Sequence, residues 1–127
     1  MFRLPLLTLL ASALLAPFRA LGQGRDFLSK PEVELAIVGK PLVSRNLSSG
    51  LVSHWVFNPD GTVEAFRLGD AFRAAGSWQL HEDGRMCVSM MGRSGCRYWF
   101  RRGVDFANAE TREPRARTVA EVSVRPD

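Results

Sequence analysis

The fold of this chain is decided by residues 86–100, which read Met86-Cys87-Val88-Ser89-Met90-Met91-Gly92-Arg93-Ser94-Gly95-Cys96-Arg97-Tyr98-Trp99-Phe100. The segment contains both cysteines of the chain, a glycine-bounded turn and then a strand-like aromatic run. This pattern predicts two strands that are joined by a connection and linked by a disulfide. We therefore expect the segment to form the centre of a small β domain.

The start of the chain has the layout of a secretory signal peptide. Arg3 is followed by an apolar run to Phe18, and small residues precede a cleavage point before Gln23. A membrane anchor is the alternative, but the run has about 15 residues where a span needs about 20. We expect residues 1–22 to be removed, and residues 23–127 to form a single disulfide-bonded β domain in the periplasm or outside the cell. No transmembrane span is expected after cleavage.

The cysteines are expected to pair, because exported chains meet an oxidising compartment; two free buried thiols are the alternative. A two-residue turn at Arg93-Ser94 would leave Cys87 roughly 13 Å along its strand from the residue that Cys96 faces. A disulfide needs a Cα separation of about 4.4–6.8 Å. We therefore expect Cys87 and Cys96 to lie opposite each other, with a wide loop between them. Closing this loop would contribute about 2–3 kcal/mol to stability.

The net charge excludes a strongly basic nucleic-acid-binding protein. The full chain has 17 Lys and Arg against 13 Asp and Glu, a net charge of +4. Arg3 and Arg19 leave with the signal peptide, so the mature chain has 15 basic residues and a net charge of +2. This charge is too small to indicate a nucleic-acid partner.

One helix is predicted near the start of the mature chain, after a short leader. Residues 23–28 are expected to be this flexible leader. Ser29 and Glu32 then form a capping-box pattern, Pro31 falls in the first turn, and Gly39 provides a stop. These signals predict a short helix over residues 30–38.

The rest of the chain is strand-like. Short segments of this kind occur at residues 40–47, 51–57, 62–68, 76–81, 85–90, 96–101, 104–106 and 117–124. Residues 69–75 are read as a connection with room for one helical turn, and residues 108–115 as a polar loop. The spacing predicts a mainly β fold: an antiparallel meander or small barrel-like sheet of about eight strands, with one short N-terminal helix.

No residue pattern indicates catalysis. His54 and His81 fall on predicted strands, and no serine has the Gly-x-Ser-x-Gly context of a hydrolase nucleophile. Turn chemistry already explains Asp60, Glu82 and Asp83. We therefore predict no catalytic residue and a non-enzymatic protein.

A copper(I) site is the alternative with the most specific residues. His81, Met86, Met90 and Met91 lie within 11 residues, and soft thioethers suit Cu(I). Met is more often a gap-filler in a core, so the expected reading is that Met86 and Met90 are core residues. Copper is accordingly only the alternative cofactor.

Aromatic residues are frequent in the predicted strands: Trp55, Phe57, Phe66, Trp78, Tyr98, Trp99 and Phe100. Small barrels are usually filled with side chains, so a filled core is the first expectation. A ligand cavity lined by these aromatics is the alternative.

Arginines cluster in the last third of the chain. Arg97, Trp99 and Arg101 alternate along one strand face, and together with Arg102 they could present a basic and aromatic surface to a partner. The alternative is a solvated outer face paired with Glu110, Glu113 and Glu121.

Several short motifs resemble a group of uncharacterised small exported β-domain proteins of alphaproteobacteria. They are Gly76-Ser77-Trp78, Asp83-Gly84-Arg85-Met86-Cys87 and Gly95-Cys96-Arg97-Tyr98. The resemblance implies export, a disulfide and a β fold, and it implies no activity. The function expected from the sequence is an exported binding or interaction protein whose partner is an envelope protein or a small ligand. A small-ligand or Cu(I) carrier is the alternative.

Overall fold

The computed structural model describes residues 24–125, which form one short helix followed by eight strands. Helix α1 is Lys30–Ala36. The strands are β1 Leu42–Asn46, β2 Val52–Phe57, β3 Thr62–Phe66, β4 Arg73–Leu80, β5 Met86–Met90, β6 Arg93–Arg102, β7 Asp105–Ala109 and β8 Thr118–Val124. The predicted signal peptide lies outside the described residues. Within residues 24–125 no helix is both long and apolar enough to cross a membrane.

The strands form a closed antiparallel barrel. Each strand pairs with the next in sequence, and β8 pairs with β1 through Leu42 opposite Val124 and Ser44 opposite Val122. The mainly β prediction is confirmed, and the barrel is the form it takes. Closure leaves every strand paired on both sides, which removes the exposed edges of an open sheet.

The connections alternate between the two ends of the barrel. We call the end that carries α1 and the turns 58–61 and 81–85 the helix end. The other end carries the loop 47–51 and the Met91–Gly92 turn, and we call it the open end. The helix is fixed at its end by its flanking residues, since the Gly39 N–H donates to the Phe57 carbonyl at 2.7 Å.

Helix α1 closes the interior at the helix end. The Ser29 hydroxyl accepts from the Glu32 N–H, and the Glu32 carboxylate accepts from the Ser29 N–H, so the predicted capping box is present. The same bond from Ser29 N–H lowers the pKa of Glu32. Val33 and Ile37 are fully buried against the barrel core. The helix is therefore an apolar plug.

Residues 26–28 pair with β6, so the prediction of a flexible leader is wrong for the described part of that segment, residues 24–28. The Arg101 N–H donates to the Asp26 carbonyl and the Leu28 N–H donates to the Trp99 carbonyl. Phe27 also forms a bridge with Phe100. Burial of Leu28, which is 3% exposed, holds this segment in place.

The disulfide joins Cys87 and Cys96, which face each other on β5 and β6 as predicted. The prediction of a wide loop between them is wrong. β6 begins at Arg93, and the connection is a two-residue turn in which Met91 has φ 56° and Gly92 has φ 76°. Positive φ at both positions is the type I′ geometry that matches the twist of a hairpin. Met is an unusual residue for its first position, so the turn carried no sequence signal.

Candidate functional site

The barrel contains a cavity of about 360 Å³ that reaches the open end. It is lined by Leu42, Ser44, Asn46, Trp55, Phe57, Met86, Val88, Met90, Arg93, Ser94, Gly95, Arg97, Trp99, Asn108, Val119, Ala120 and Val122. Its volume is at the lower end of the roughly 300–1,000 Å³ of small-molecule sites. The interior is thus filled at the helix end and hollow towards the open end.

The predicted aromatic set divides between the two faces of the sheet. Trp55, Phe57 and Trp99 line the cavity, and Trp78 packs against the same core. The remaining three lie on the outer face: Phe66, Tyr98 and Phe100. Phe66 stacks on His54 there, with ring centroids 5.0 Å apart. Both expectations for the interior are therefore met in part.

Two residues that line the cavity each have a buried polar side-chain atom without a partner. Trp99 on β6 pairs with Asn108 on β7, and both side chains line the cavity. Trp99 is 4% exposed and Asn108 is 7% exposed. Within residues 24–125, neither Trp99 Nε1 nor Asn108 Oδ1 makes a hydrogen bond. Trp99 and Asn108 are thus neighbours across the β6–β7 pair, and each has a buried polar atom without a partner, although native proteins pair nearly all such groups.

The indole N–H groups of the other two tryptophans are both hydrogen-bonded. Trp55 Nε1 donates to Ser53 Oγ at 3.0 Å, and Trp78 Nε1 donates to the Asn58 carbonyl at 2.9 Å. The chain has three tryptophans, and only the indole of Trp99 lacks a partner among the described residues. The wall at Trp99 and Asn108 therefore has hydrogen-bonding capacity that the protein itself does not use.

Arg97 lies on the cavity wall, two residues closer to the open end than Trp99. It faces Met86 across the β5–β6 pair, and its side chain is 34% exposed. Its Nη1 donates to the Cys96 carbonyl at 2.9 Å and lies 3.7 Å from Glu110 Oε2. Gly95 precedes it on the same face, and a Cβ there would stand 3.4 Å from Arg97 Nη1. A side chain at residue 95 would therefore touch the guanidinium of Arg97.

The outer basic and aromatic face predicted for a partner is not formed. Arg97, Trp99 and Arg101 do share one strand face, but Arg97 and Trp99 on it line the interior. Arg101 is at the helix end, 3.3 Å from Asp26 Oδ2 and 3.5 Å from Glu32 Oε2. The hairpin register is the cause, because it places Arg97 opposite the buried Met86.

Arg102 alone lies on the outer face. It donates to Glu121 Oε2 at 2.9 Å, and Arg45 bonds the other oxygen of the same carboxylate. Hydrogen bonds from Arg102 and then Arg45 lower the pKa of Glu121. The pairing of an outer arginine with Glu121 was the alternative reading of this region.

The four residues proposed for copper(I) are not brought together. Met86 is 2% exposed in the core, and Met90 stands four residues later on β5, roughly 13 Å away at about 3.3 Å per residue. Met91 is in the turn at the open end and is 69% exposed. His81 belongs to the turn at the helix end, where its N–H donates to the Arg85 carbonyl. The four residues are therefore divided between the two ends of the barrel and do not form one cluster.

The remaining candidates for chemistry are separate from one another. His54 is on the outer face, where Arg125 Nη1 lies 3.2 Å from its Nδ1. Asp83 accepts from the Arg85 N–H and from the Tyr98 hydroxyl, and both bonds lower its pKa. In the described part of the chain, no three His, Cys, Asp or Glu residues are placed to hold a metal ion.

Sequence reasoning missed Asn108 and the inward position of Arg97. Asn108 was read as the start of a loop, whereas β7 continues to Ala109. Its inward position depends on the register with β6 and β8, for which the sequence holds no signal. Arg97 did carry a signal, because the Cys87–Cys96 pairing places it opposite Met86 on the apolar face.

No protein-family model matches the chain, and neither the curated proteins nor the solved structures that were compared with it gave a match.

Proposed function

We propose that this chain is an exported, non-enzymatic binding protein that holds a small, partly apolar molecule inside its barrel. The cavity carries this proposal, together with the buried, unpaired polar atoms of two of its lining residues, Trp99 Nε1 and Asn108 Oδ1. Export to the periplasm or beyond is supported by the Cys87–Cys96 disulfide, since such bonds persist in oxidising compartments.

The cavity matches a ligand with one polar group and an apolar body. A hydroxyl both accepts and donates, so one hydroxyl can take the indole N–H of Trp99 and donate to the amide oxygen of Asn108. Leu42, Phe57 and Met86 supply the apolar wall. The polar pair gives the ligand its orientation, and the apolar wall provides most of the affinity.

The test is a titration with phenylpropanol, followed by nuclear magnetic resonance of the three indole N–H signals. We expect the Trp99 signal to shift most, because its N–H acquires a partner. Trp78 is the internal reference, since its indole N–H is already bonded to the Asn58 carbonyl. An unmoved Trp99 signal in the folded protein would contradict the proposal.

Variants separate binding from folding. Trp99→Phe and Asn108→Leu each remove one polar partner and are expected to weaken phenylpropanol binding by about tenfold. Asn108→Leu should leave stability unchanged or raise it, because it removes a buried unpaired group. The matched control is Ser123→Ala on the outer face of β8, where binding should not change. Equal affinity in all variants would place the ligand elsewhere.

A further inference from the structure

Charge on the cavity wall indicates which ligands the barrel prefers. Seventeen residues line the cavity, and the charged ones among them are Arg93 and Arg97. Among residues 24–125, no Asp or Glu is part of this wall. In a partly apolar, partly enclosed space these two positive charges attract an anion more strongly than they do in open water. Glu110, 3.7 Å from Arg97 Nη1, offsets part of the charge of Arg97.

The two arginines stand at different depths along β6. Arg93 follows the turn at the open end and is exposed. Arg97 is four residues further in, roughly 13 Å along the strand, and Trp99 is about 7 Å beyond it. An anion that enters past Arg93 therefore meets Arg97 immediately before the unpaired indole of Trp99.

Arg97 has hydrogen-bond donors that are not used within the barrel. Its contacts with the Cys96 carbonyl and with Glu110 are both made by Nη1. A guanidinium has five N–H donors in a planar fork, so Nε and Nη2 are left over within the described residues. Glu110 is 68% exposed and 3.7 Å away, a distance too long for a hydrogen bond. It therefore competes only weakly with a ligand.

We propose that the barrel selects a small organic carboxylate with an adjacent hydroxyl and an apolar body. This inference rests on the proposed function. The carboxylate binds Arg97, with Arg93 adding longer-range attraction, and the hydroxyl binds the Trp99 and Asn108 pair. The apolar body lies against Phe57, Met86 and the neighbouring wall.

The test compares phenyllactate with phenyllactamide by calorimetry at neutral pH and low salt. The two probes share the phenyl ring and hydroxyl and differ in the charge of the acid group. We expect the full chain after export to bind phenyllactate about tenfold more tightly, since a charge-assisted bond is worth about that factor. Arg97→Gln should abolish the preference, and Arg93→Gln should reduce it less.

The control is Arg45→Gln, which removes an arginine from the outer face and should keep the preference. Equal binding of the two probes by the unaltered protein would overturn the anion inference and leave the proposed function standing. A preference that survives in both Arg93→Gln and Arg97→Gln would also overturn it. Failure to bind phenyllactate, phenyllactamide and phenylpropanol would overturn both proposals together.

Discussion

The helix end and the open end of the barrel differ in the side chains that point into the interior. At the helix end, Val33 and Ile37 are fully buried and meet an apolar core. At the open end, the wall includes Arg93, Arg97 and the unpaired Asn108 around a cavity. Buried apolar side chains stabilise the helix end. The open end has buried polar groups, which lower stability unless they form hydrogen bonds.

This difference indicates a division of labour within one small fold. Apolar packing at the helix end and the disulfide between β5 and β6 supply stability, whereas the polar part of the cavity wall does not add to it. Sites of function are expected to carry such local costs, with stability supplied elsewhere in the structure. The predictions below test this division, beginning with the largest effect.

Ile37→Ala is expected to lower the free energy of unfolding by about 2–5 kcal/mol, because it leaves a closed cavity beneath the helix. Met90→Ala at the open end should cost less, since its side chain already borders open space. Urea denaturation measures both. Leu35→Ala, on the exposed face of the same helix, is the control and should change stability by no more than about 0.5 kcal/mol. Equal losses for Ile37 and Met90 would refute the comparison.

Replacing both cysteines, Cys87→Ala with Cys96→Ala, is expected to lower stability by about 2–3 kcal/mol. The disulfide lies on the outer face of β5 and β6, one residue from Val88 and Arg97 on the cavity wall. Thermal unfolding of the oxidised protein and the double variant gives the difference. An unchanged transition would show that the short hairpin turn alone holds these strands.

Ser29→Ala is expected to cost about 1 kcal/mol by removing the cap of α1, which leaves the Glu32 N–H without its acceptor. Ser29→Asp is the matched control and should retain most of the stability, because its carboxylate also accepts at an N-cap. Chemical denaturation distinguishes them. If the alanine and aspartate variants were equally destabilised, the hydroxyl bond would not be the cause.

The smallest effect is a shift in the titration of Tyr98, the single tyrosine of the chain. Its hydroxyl donates to Asp83 Oδ2 at 2.9 Å, which raises its pKa above the ordinary value of 10.0. The bond therefore contributes fully below the ordinary pKa, and its contribution is lost as the pH rises through the raised value. Ultraviolet absorbance follows the ionisation.

Asp83→Asn is the test of the cause, because it removes the charge that holds the phenol proton. We expect the Tyr98 pKa to move down towards 10.0. Glu82→Gln, at the neighbouring position in the same turn, is the control and should leave it in place. A Tyr98 pKa that does not respond to Asp83→Asn would contradict the assigned bond.

Local chemistry made much of the fold predictable. The capping box at Ser29, the Asn58–Gly61 turn and the Asp83–Gly84 turn each depend on a few adjacent residues, and the structure has all three. The paired cysteines also set the strand register. The error in that hairpin came from its turn, because Met91 adopts a positive φ for which Met has no preference.

The candidate site was less predictable because it depends on which face of each strand points inward. Arg97 and Trp99 were placed on one face by alternation, yet alternation alone does not say whether that face is inner or outer. The closed pairing of the barrel decides it. Asn108 was missed because its role depends on Trp99, nine residues away on the next strand.

The sequence by itself determined the local elements: a capped helix, turns, strand-like segments and two cysteines in register. Only the tertiary structure decided that the barrel closes, that α1 plugs one end, and that the other end contains a cavity with unpaired polar groups. The physical reason is the sequence separation of the residues that make the contacts. Caps and turns are set by contacts within about four residues, whereas an interior is formed by side chains that meet across strands distant in sequence.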